Sequence, residues 1–351
     1  MSSNKIYGHE TIRARLADAI EADRLPQAIL FTGSAGVGKQ RLALWLARAV
    51  LCRGEGVRGE DGCQSCLQAN NLKHPDLHWF VPLDIKKRAS DPEKQIEEVE
   101  AALAEVMEER RTTPLYPVPE TLGSHSIASA RLIQRRVGVT PFMSRKKVVI
   151  VGDADRLIVQ EASQEAANAL LKVLEEPPED TVLLFTSSSP QRLLDTIRSR
   201  LVPVRVGPLP NGTVEQALVE LTEMSAGAAS KVAPLAEGSL GRALALANDT
   251  AQAQAHAQRF LKAIKKSAPS WASLALLQEP WGARGDFTAM LDALQQDLLS
   301  EVRNTSGNDD SQAGKYLKAL SLVEKTRRDA QGNVNPQLAK AVLARRIAEV
   351  V

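Results

Sequence analysis

Short aliphatic runs punctuate the chain at 28–31, 148–151, 182–185 and 202–206, each flanked by turn-forming residues. The first three, rich in Val, Ile and Leu and without polar alternation, read as strands of a parallel sheet buried on both faces, and 202–206 reads as a further strand. Between them the apolar positions recur at helical spacing. Helices are predicted over 11–22, ending before Arg24-Leu25-Pro26, over 41–51, and over 126–139 with the basic pair Arg135 and Arg136. Another over 165–176 stops at Pro177-Pro178, because proline lacks the N–H donor and its ring clashes with the preceding turn. Strands alternating with helices give the α/β class.

Beyond 207 the strand signal disappears. Pro208-Leu209-Pro210-Asn211-Gly212 reads as a linker, followed by helices over 214–224, 225–235 and 239–248, the last opened by Ser239 as N-cap. Further helical stripes follow at Phe260/Ile264, Leu291/Leu294/Leu298, Tyr316/Leu317/Leu320/Val323 and Leu338/Val342/Ile347, with a loop at 307–310. Three parts are therefore expected: an α/β domain at 1–207, a small helical domain at 208–250 and an all-α domain at 251–351. Residues 81–123 read as an insertion into the first. Ser90 or Asp91 caps a helix with Pro92 in its first turn, and Ile96, Val99, Leu103 and Val106/Met107 form its apolar stripe. Arg110 and Arg111 close it, and Pro114, Pro117 and Pro119 forbid its continuation. The stripe suits either packing on the domain surface or docking of a partner.

The first strand runs into Gly33-Ser34-Ala35-Gly36-Val37-Gly38-Lys39-Gln40. An apolar strand, a glycine-rich turn and an amphipathic helix form the context of a phosphate-binding loop. Gly33, Gly36 and Gly38 let backbone N–H groups approach a phosphate, and the helix adds its N-terminal dipole. Lys39 is placed to reach the outer phosphates of ATP or ADP. The next residue is ordinarily Ser or Thr, whose hydroxyl holds Mg²⁺. Here it is Gln40, and a long amide is a poor substitute at an octahedral ion. The strand at 148–151 ends in Gly152-Asp153-Ala154, so the acidic pair that would hold metal and activate water lacks one carboxylate. Nucleotide binding is thus predicted without efficient hydrolysis. Ser187, at the end of the third strand, is expected to face the γ-phosphate.

Composition narrows the partners. The 351 residues carry a formal net charge of +2 with 25% charged positions, which argues against nucleic-acid binding by bulk charge. Aromatics at 4% leave little for a base-stacking surface. No apolar run approaches 20 residues and residues 1–10 lack a signal-peptide core, so a cytoplasmic, non-membrane protein is expected. The three cysteines, Cys52, Cys63 and Cys66, cluster within one segment. Cys63-Gln-Ser-Cys66 is the common half of a zinc site. His74, in His74-Pro75-Asp76, or His78 is a candidate fourth ligand, and three reduced thiols are the alternative.

Taken together, the phosphate loop, the cysteine cluster, Ala167-Asn168-Ala169-Leu170-Leu171-Lys172-Val173-Leu174-Glu175-Glu176-Pro177-Pro178 and Thr196-Ile197-Arg198-Ser199-Arg200 resemble the bacterial clamp-loader subunits, an AAA+ family. The likeness covers about 1–250, and Asn333-x-Asn335 before the last helix is similar to the family's collar domain. Gln40, the incomplete acidic pair and Ala69, where a fourth cysteine would fall, favour the delta-prime branch over the gamma/tau ATPase branch. Leu201 replaces the family's cysteine after Ser-Arg without disturbing the arginine. The resemblance implies an AAA+ P-loop domain, a helical lid and a helical collar. It implies partners, namely gamma/tau and delta subunits, a sliding clamp and primer-template DNA. It also implies that Arg200 acts in trans on a neighbouring subunit's ATP and that Arg242 senses nucleotide in cis. A stand-alone AAA+ regulator is the remaining alternative.

Overall fold

Aliphatic runs without polar alternation demand cover on both faces. In the computed structural model, which describes residues 5–54, 58–59, 62–85, 89–112, 123–157, 164–266, 284–305, 310–330 and 335–350, they receive it. Strands β1 (Ala28–Thr32), β2 (Leu77–Phe80), β3 (Lys147–Val151), β4 (Thr181–Ser187) and β5 (Val202–Arg205) form one parallel sheet in the order β2-β3-β4-β1-β5. β3 and β4 are buried throughout, and β1 in all but its last residue. β5 is an exposed edge, the position at which a strand tolerates a proline such as Pro203. β2 is the strand that periodicity missed. His78 and Trp79 interrupt its aliphatic character, yet Leu77 to Phe80 pair in register with Val148 to Val151.

The helices α1 (Glu10–Glu21), α2 (Lys39–Leu51), α3 (Gln64–Asn70), α4 (Pro92–Thr112), α5 (Ile127–Val137), α6 (Gln164–Glu175) and α7 (Asp195–Arg198) surround this sheet. α2 is apolar nearly all round because it is nearly all buried: Leu42, Ala43, Leu46, Ala47 and Leu51 are each 0% exposed. Of the two readings of the inserted segment, packing holds for α4. Ile96, Val99 and Leu103 join the main core, and Val106 and Met107 pack against it. Asp91 caps α4 by accepting from the Glu93 N–H at 2.9 Å, and ion pairs Glu93–Arg135 and Glu100–Arg136 fasten it to α5. The prolines at 114, 117 and 119, residues 307–309 of the predicted 307–310 loop and Asn333 lie outside the described residues, and Asp310 begins a helix.

The chain divides into two units, Met1–Leu244 and Ala245–Val351. The first also contains α8 (Asn211–Leu221), α9 (Ala226–Val232) and the start of α10 (Leu240–Lys266). The helix predicted to stop at 248 runs on to Lys266, since no proline or glycine intervenes. The second unit holds the rest of α10 with α11 (Arg284–Thr305), α12 (Asp310–Ala330) and α13 (Pro336–Ala348). Its core includes Phe260, Phe287, Leu291, Leu294, Leu298, Tyr316, Val323 and Ile347. The stripe on α13 differs from the predicted one. Leu338 and Val342 are 67% and 44% exposed, and Leu343 and Ala344 are buried in their place. Asn335 starts the helix by accepting from the Gln337 and Leu338 N–H groups, and from that start positions 343, 344 and 347 share the inward face. Among the described residues no helix is long and apolar enough to cross a membrane.

One buried carboxylate organises the approach to β3. Asp76, 3% exposed, accepts from the N–H groups of Phe142, Met143 and Ser144 at 2.5, 2.8 and 2.6 Å. Burial pushes its pKa up, but these three donors and His74 outweigh burial and hold it below the ordinary value of 3.8. A depressed carboxylate contributes stability above its unfolded pKa and loses it as pH falls through the folded one. Asp76→Ala is therefore expected to destabilise the first unit by about 3 kcal/mol at neutral pH. The difference from wild type shrinks below about pH 4. Urea unfolding of the full chain at several pH values measures both.

Candidate functional site

The phosphate-loop candidate sits where the sheet ends. β1 delivers the chain into 33–38, and α2 starts at Lys39 with Gly38 as its N-cap. Gly36 and Gly38 have φ of 75° and 101°, a region in which side chains are strained. Among the described residues the N–H groups of Ala35, Gly36, Val37 and Gly38 meet no backbone carbonyl. They remain available to an anion at the helix N-terminus, so the loop fits a nucleotide's phosphates. Lys39 is folded over the loop, its Nζ donating to Gly33 O at 2.9 Å, Ser34 O at 2.7 Å and Ser188 Oγ at 2.9 Å. Burial lowers its pKa, against the opposing pull of Asp153 and Asp155. The hydroxyl that meets Lys39 is thus Ser188, one residue past the Ser187 expected to face the γ-phosphate. Ser187 is 0% exposed and accepts from the Ser189 N–H.

Gln40 determines the character of the metal corner. Its Nε2 donates to Asp153 Oδ2 at 2.9 Å, and its Oε1 accepts from Arg110 Nη1 at 3.2 Å. Arg110 comes from the last turn of α4, and its guanidinium lies 4.2 Å from the Trp79 ring centroid. Asp153 is in the left-handed region at φ 48°, anchored by its N–H to Thr186 Oγ1 at 2.9 Å. Burial raises its pKa, with Asp155 adding to the rise and Lys39, Arg156 and Arg110 opposing it. Sequence reasoning missed Asp155, Arg110 and His125. Asp155 accepts from the Ser188 N–H at 3.1 Å, so it fixes the β4 turn. His125 is buried with Nε2 2.8 Å from Gly152 O, which makes Nε2 the protonated nitrogen, and burial pushes its pKa down to about 4. Only the acidic spacing of Asp153-Ala154-Asp155 carried a signal; the other two reach the site through the fold.

The helical segment after β5 closes directly on the loop. Ser239 Oγ donates to Ala35 O at 2.9 Å and accepts from the Arg242 N–H at 3.1 Å. Gly241 N–H donates to Gly36 O at 2.9 Å. A Cβ on Gly36 would lie 2.3 Å from Ser239 Oγ, and one on Gly241 would lie 2.9 Å from Gly36 Cα, so both glycines are needed for this approach. Arg242 pairs with Glu237 at 3.1 Å. Arg200 lies after α7, its Nη1 donating to Thr196 O at 2.7 Å and its Nη2 to Glu175 Oε1 at 2.9 Å. Glu175 is the last residue of α6, so the helix end two positions before the double proline aims the arginine.

The sulfur atoms of Cys52, Cys63 and Cys66 lie within 4.8 Å of one another, with Cys52 and Cys63 4.0 Å apart. Three thiolates on a tetrahedral zinc, each at about 2.3 Å, are separated by about 3.8 Å, so the cluster fits three corners of such a site. His74 does not supply the fourth. Its Nδ1 accepts from the Asp76 N–H at 3.1 Å, and its Nε2 faces Ser65 Oγ and Ser144 Oγ at 3.1 and 3.3 Å. His78, on β2, is also outside the cluster.

Comparison with known proteins adds one family match and three relatives. The family described as DNA polymerase III, delta subunit, matches residues 8–210. The chain is 32% identical over 207 residues to a Bacillus subtilis protein named DNA polymerase III subunit delta', covering 58% of this chain and 49% of that one. It is 31% identical over 290 residues to the Escherichia coli protein of the same name, covering 80% and 74%. A Mycobacterium tuberculosis DNA polymerase III subunit gamma/tau is 29% identical over 223 residues, covering 62% and 31%. The match thus spans about half of the Bacillus relative and less of the mycobacterial one.

The sulfur geometry carries a prediction. Reduced chain takes up one zinc equivalent, Cys66→Ser loses it, and His74→Ala retains it; a chromogenic chelator reads the metal content of each.

Proposed function

This chain belongs to the family described as DNA polymerase III, delta subunit, and from that membership we propose that it is a delta-prime-type subunit of a clamp loader. In this role it works with gamma/tau and delta subunits in the cytoplasm to open a sliding clamp and set it on primer-template DNA. It hydrolyses little ATP itself and donates Arg200 to a neighbour's ATP. The observation that carries the reading is the Gln40–Asp153 hydrogen bond. It joins the position that ordinarily presents a hydroxyl to Mg²⁺ with the carboxylate that would hold the metal, and so occupies both.

The other roles follow the same geometry. Gly33, Gly36, Gly38 and Lys39 hold the phosphates of ATP or ADP, and Arg242 senses them from the lid. When bound, the nucleotide supplies a phosphate chain whose charge the loop N–H groups and Lys39 neutralise. We read 1–207 as the AAA+ domain, 208–250 as the lid and 251–351 as the collar, where exposed Leu338 and Val342 support a role in assembly. Zinc at Cys52, Cys63 and Cys66 serves the fold of 52–78.

A trans arginine stabilises charge that builds on the transferred phosphoryl group. Arg200 suits this because its exposed partner, Glu175, is cheap to exchange. A gamma/tau-type ATPase is the second reading, favoured by the gamma/tau relatives and by the nearness of Asp153 and Asp155 to Lys39. Turnover by the purified chain that disappears in Lys39→Ala selects that reading instead. Under the first, Arg200→Ala keeps the wild-type melting temperature, and in the reconstituted loader the adjoining site's ATP turnover falls by about 10³-fold or more. An unchanged rate in the assembled complex removes the trans role.

A further inference from the structure

We propose that the site at 33–40 holds a nucleoside diphosphate or triphosphate without a divalent cation, Arg110 of the inserted helix supplying the positive charge in the metal's place. The proposal rests on reading 33–40 as a phosphate loop. In such a loop the side chain after the lysine projects toward the metal. Here that side chain is an amide held at both ends, its Nε2 on Asp153 and its Oε1 under Arg110. The Asp153 oxygen that would coordinate a cation is engaged by Gln40, and the guanidinium lies one amide away from the place the cation would take. Mg²⁺ demands near-ideal octahedral oxygens and dehydrates reluctantly. A guanidinium is more weakly hydrated and offers a planar fork that matches phosphate oxygens.

Arg110 is placed for this by the fold. Gln40 and Arg110 are 70 positions apart in sequence. They meet because Ile96, Val99 and Leu103 bury α4 in the main core, because two ion pairs fix α4 to α5, and because Trp79, 5% exposed on β2, stacks under the guanidinium. The charges support the substitution. Lys39, Arg156 and Arg110 act on Asp153 beside Asp155, three cations against two carboxylates, so the site carries an excess positive charge for a phosphate chain before any metal is added.

Titration of the full chain with a fluorescent ADP, once with Mg²⁺ and once with EDTA, tests this. The expected wild-type dissociation constants agree within about twofold between the two buffers. Arg110→Ala weakens binding by about tenfold in both, the loss of one charge-assisted contact. Arg110→Lys recovers part of the loss, keeping the charge without the fork. Thermal melting of each variant at the wild-type temperature shows that the fold is intact, and Arg110→Gln stands in if the alanine variant melts early. Wild-type binding that vanishes in EDTA, no wild-type binding in either buffer, or unchanged binding by Arg110→Ala overturns the proposal. Lys39→Ala separates the two levels: if it abolishes binding while Arg110→Ala does not, the loop reading stands and the arginine's role falls. If Lys39→Ala binds as wild type does, the loop reading itself falls.

Discussion

The Gln40 amide, hydrogen-bonded to Asp153 on one side and Arg110 on the other, joins elements that are otherwise separate. It ties the phosphate loop to the end of β3 and both to the inserted helix. In a partly buried setting each of these bonds involves an ionised partner, and such bonds are worth about 1.5–3 kcal/mol net. A Ser or Thr at position 40 would be too short to span from α2 to Asp153 and Arg110 together. The residue that follows the loop lysine therefore cross-links the site, and its loss would leave Asp153, already raised by burial, without its neutral partner.

The sheet makes this possible. Parallel strands deliver all their carboxyl ends to one edge, where ligands of open α/β sheets bind. β1 sets down the loop, β3 sets down Asp153, and β4 sets down Ser188, which Lys39 and Asp155 hold in turn. The chain after β5 then returns over the loop, with Gly36 and Gly241 close enough to exclude a Cβ at either position. The loop and the start of α10 thus share direct contacts, Gly241 N–H on Gly36 O and Ser239 Oγ on Ala35 O. A nucleotide that binds only this arrangement would stabilise it by RT ln(1 + [L]/Kd).

Much of the architecture was legible in the sequence because its physics is local. Buried strands must be aliphatic, the double proline must end α6, and the Gly33 to Lys39 pattern must turn tightly. What escaped is what depends on distance along the chain. β2 was hidden because His78 and Trp79 are polar or bulky in sequence, and only its pairing with β3 reveals it. Ser188 instead of Ser187 was a matter of strand phase, which a one-residue shift reverses. On α13 the predicted stripe chose Leu338 and Val342 for their hydrophobicity, whereas the helix start at Asn335 turned Leu343 and Ala344 inward. His74 read as a ligand from its neighbours in sequence, but its two nitrogens are committed to Asp76 and to two serine hydroxyls. Arg110 could be seen only as a helix-ending charge, since nothing in the sequence states that the insertion folds back onto the loop.

The two arginines of interest differ in how they are held, and the difference matches the work proposed for each. Arg110 stacks on a buried tryptophan and bonds to a half-buried amide, so its position is fixed before a ligand arrives. Arg200 is paired with Glu175 where the side chains are 35% and 51% exposed, a setting in which an ion pair is worth about 0–1 kcal/mol. In the trans role proposed for Arg200, giving up Glu175 for a triphosphate therefore costs little. A stronger pair would hold the arginine at home, and none at all would leave it sampling many rotamers, at an entropic cost of up to about 2 kcal/mol on docking. The weak, geometrically defined pair at the end of α6 sits between these limits. That explains in physical terms why the helix needs both its glutamate and the proline stop that fixes where the glutamate points.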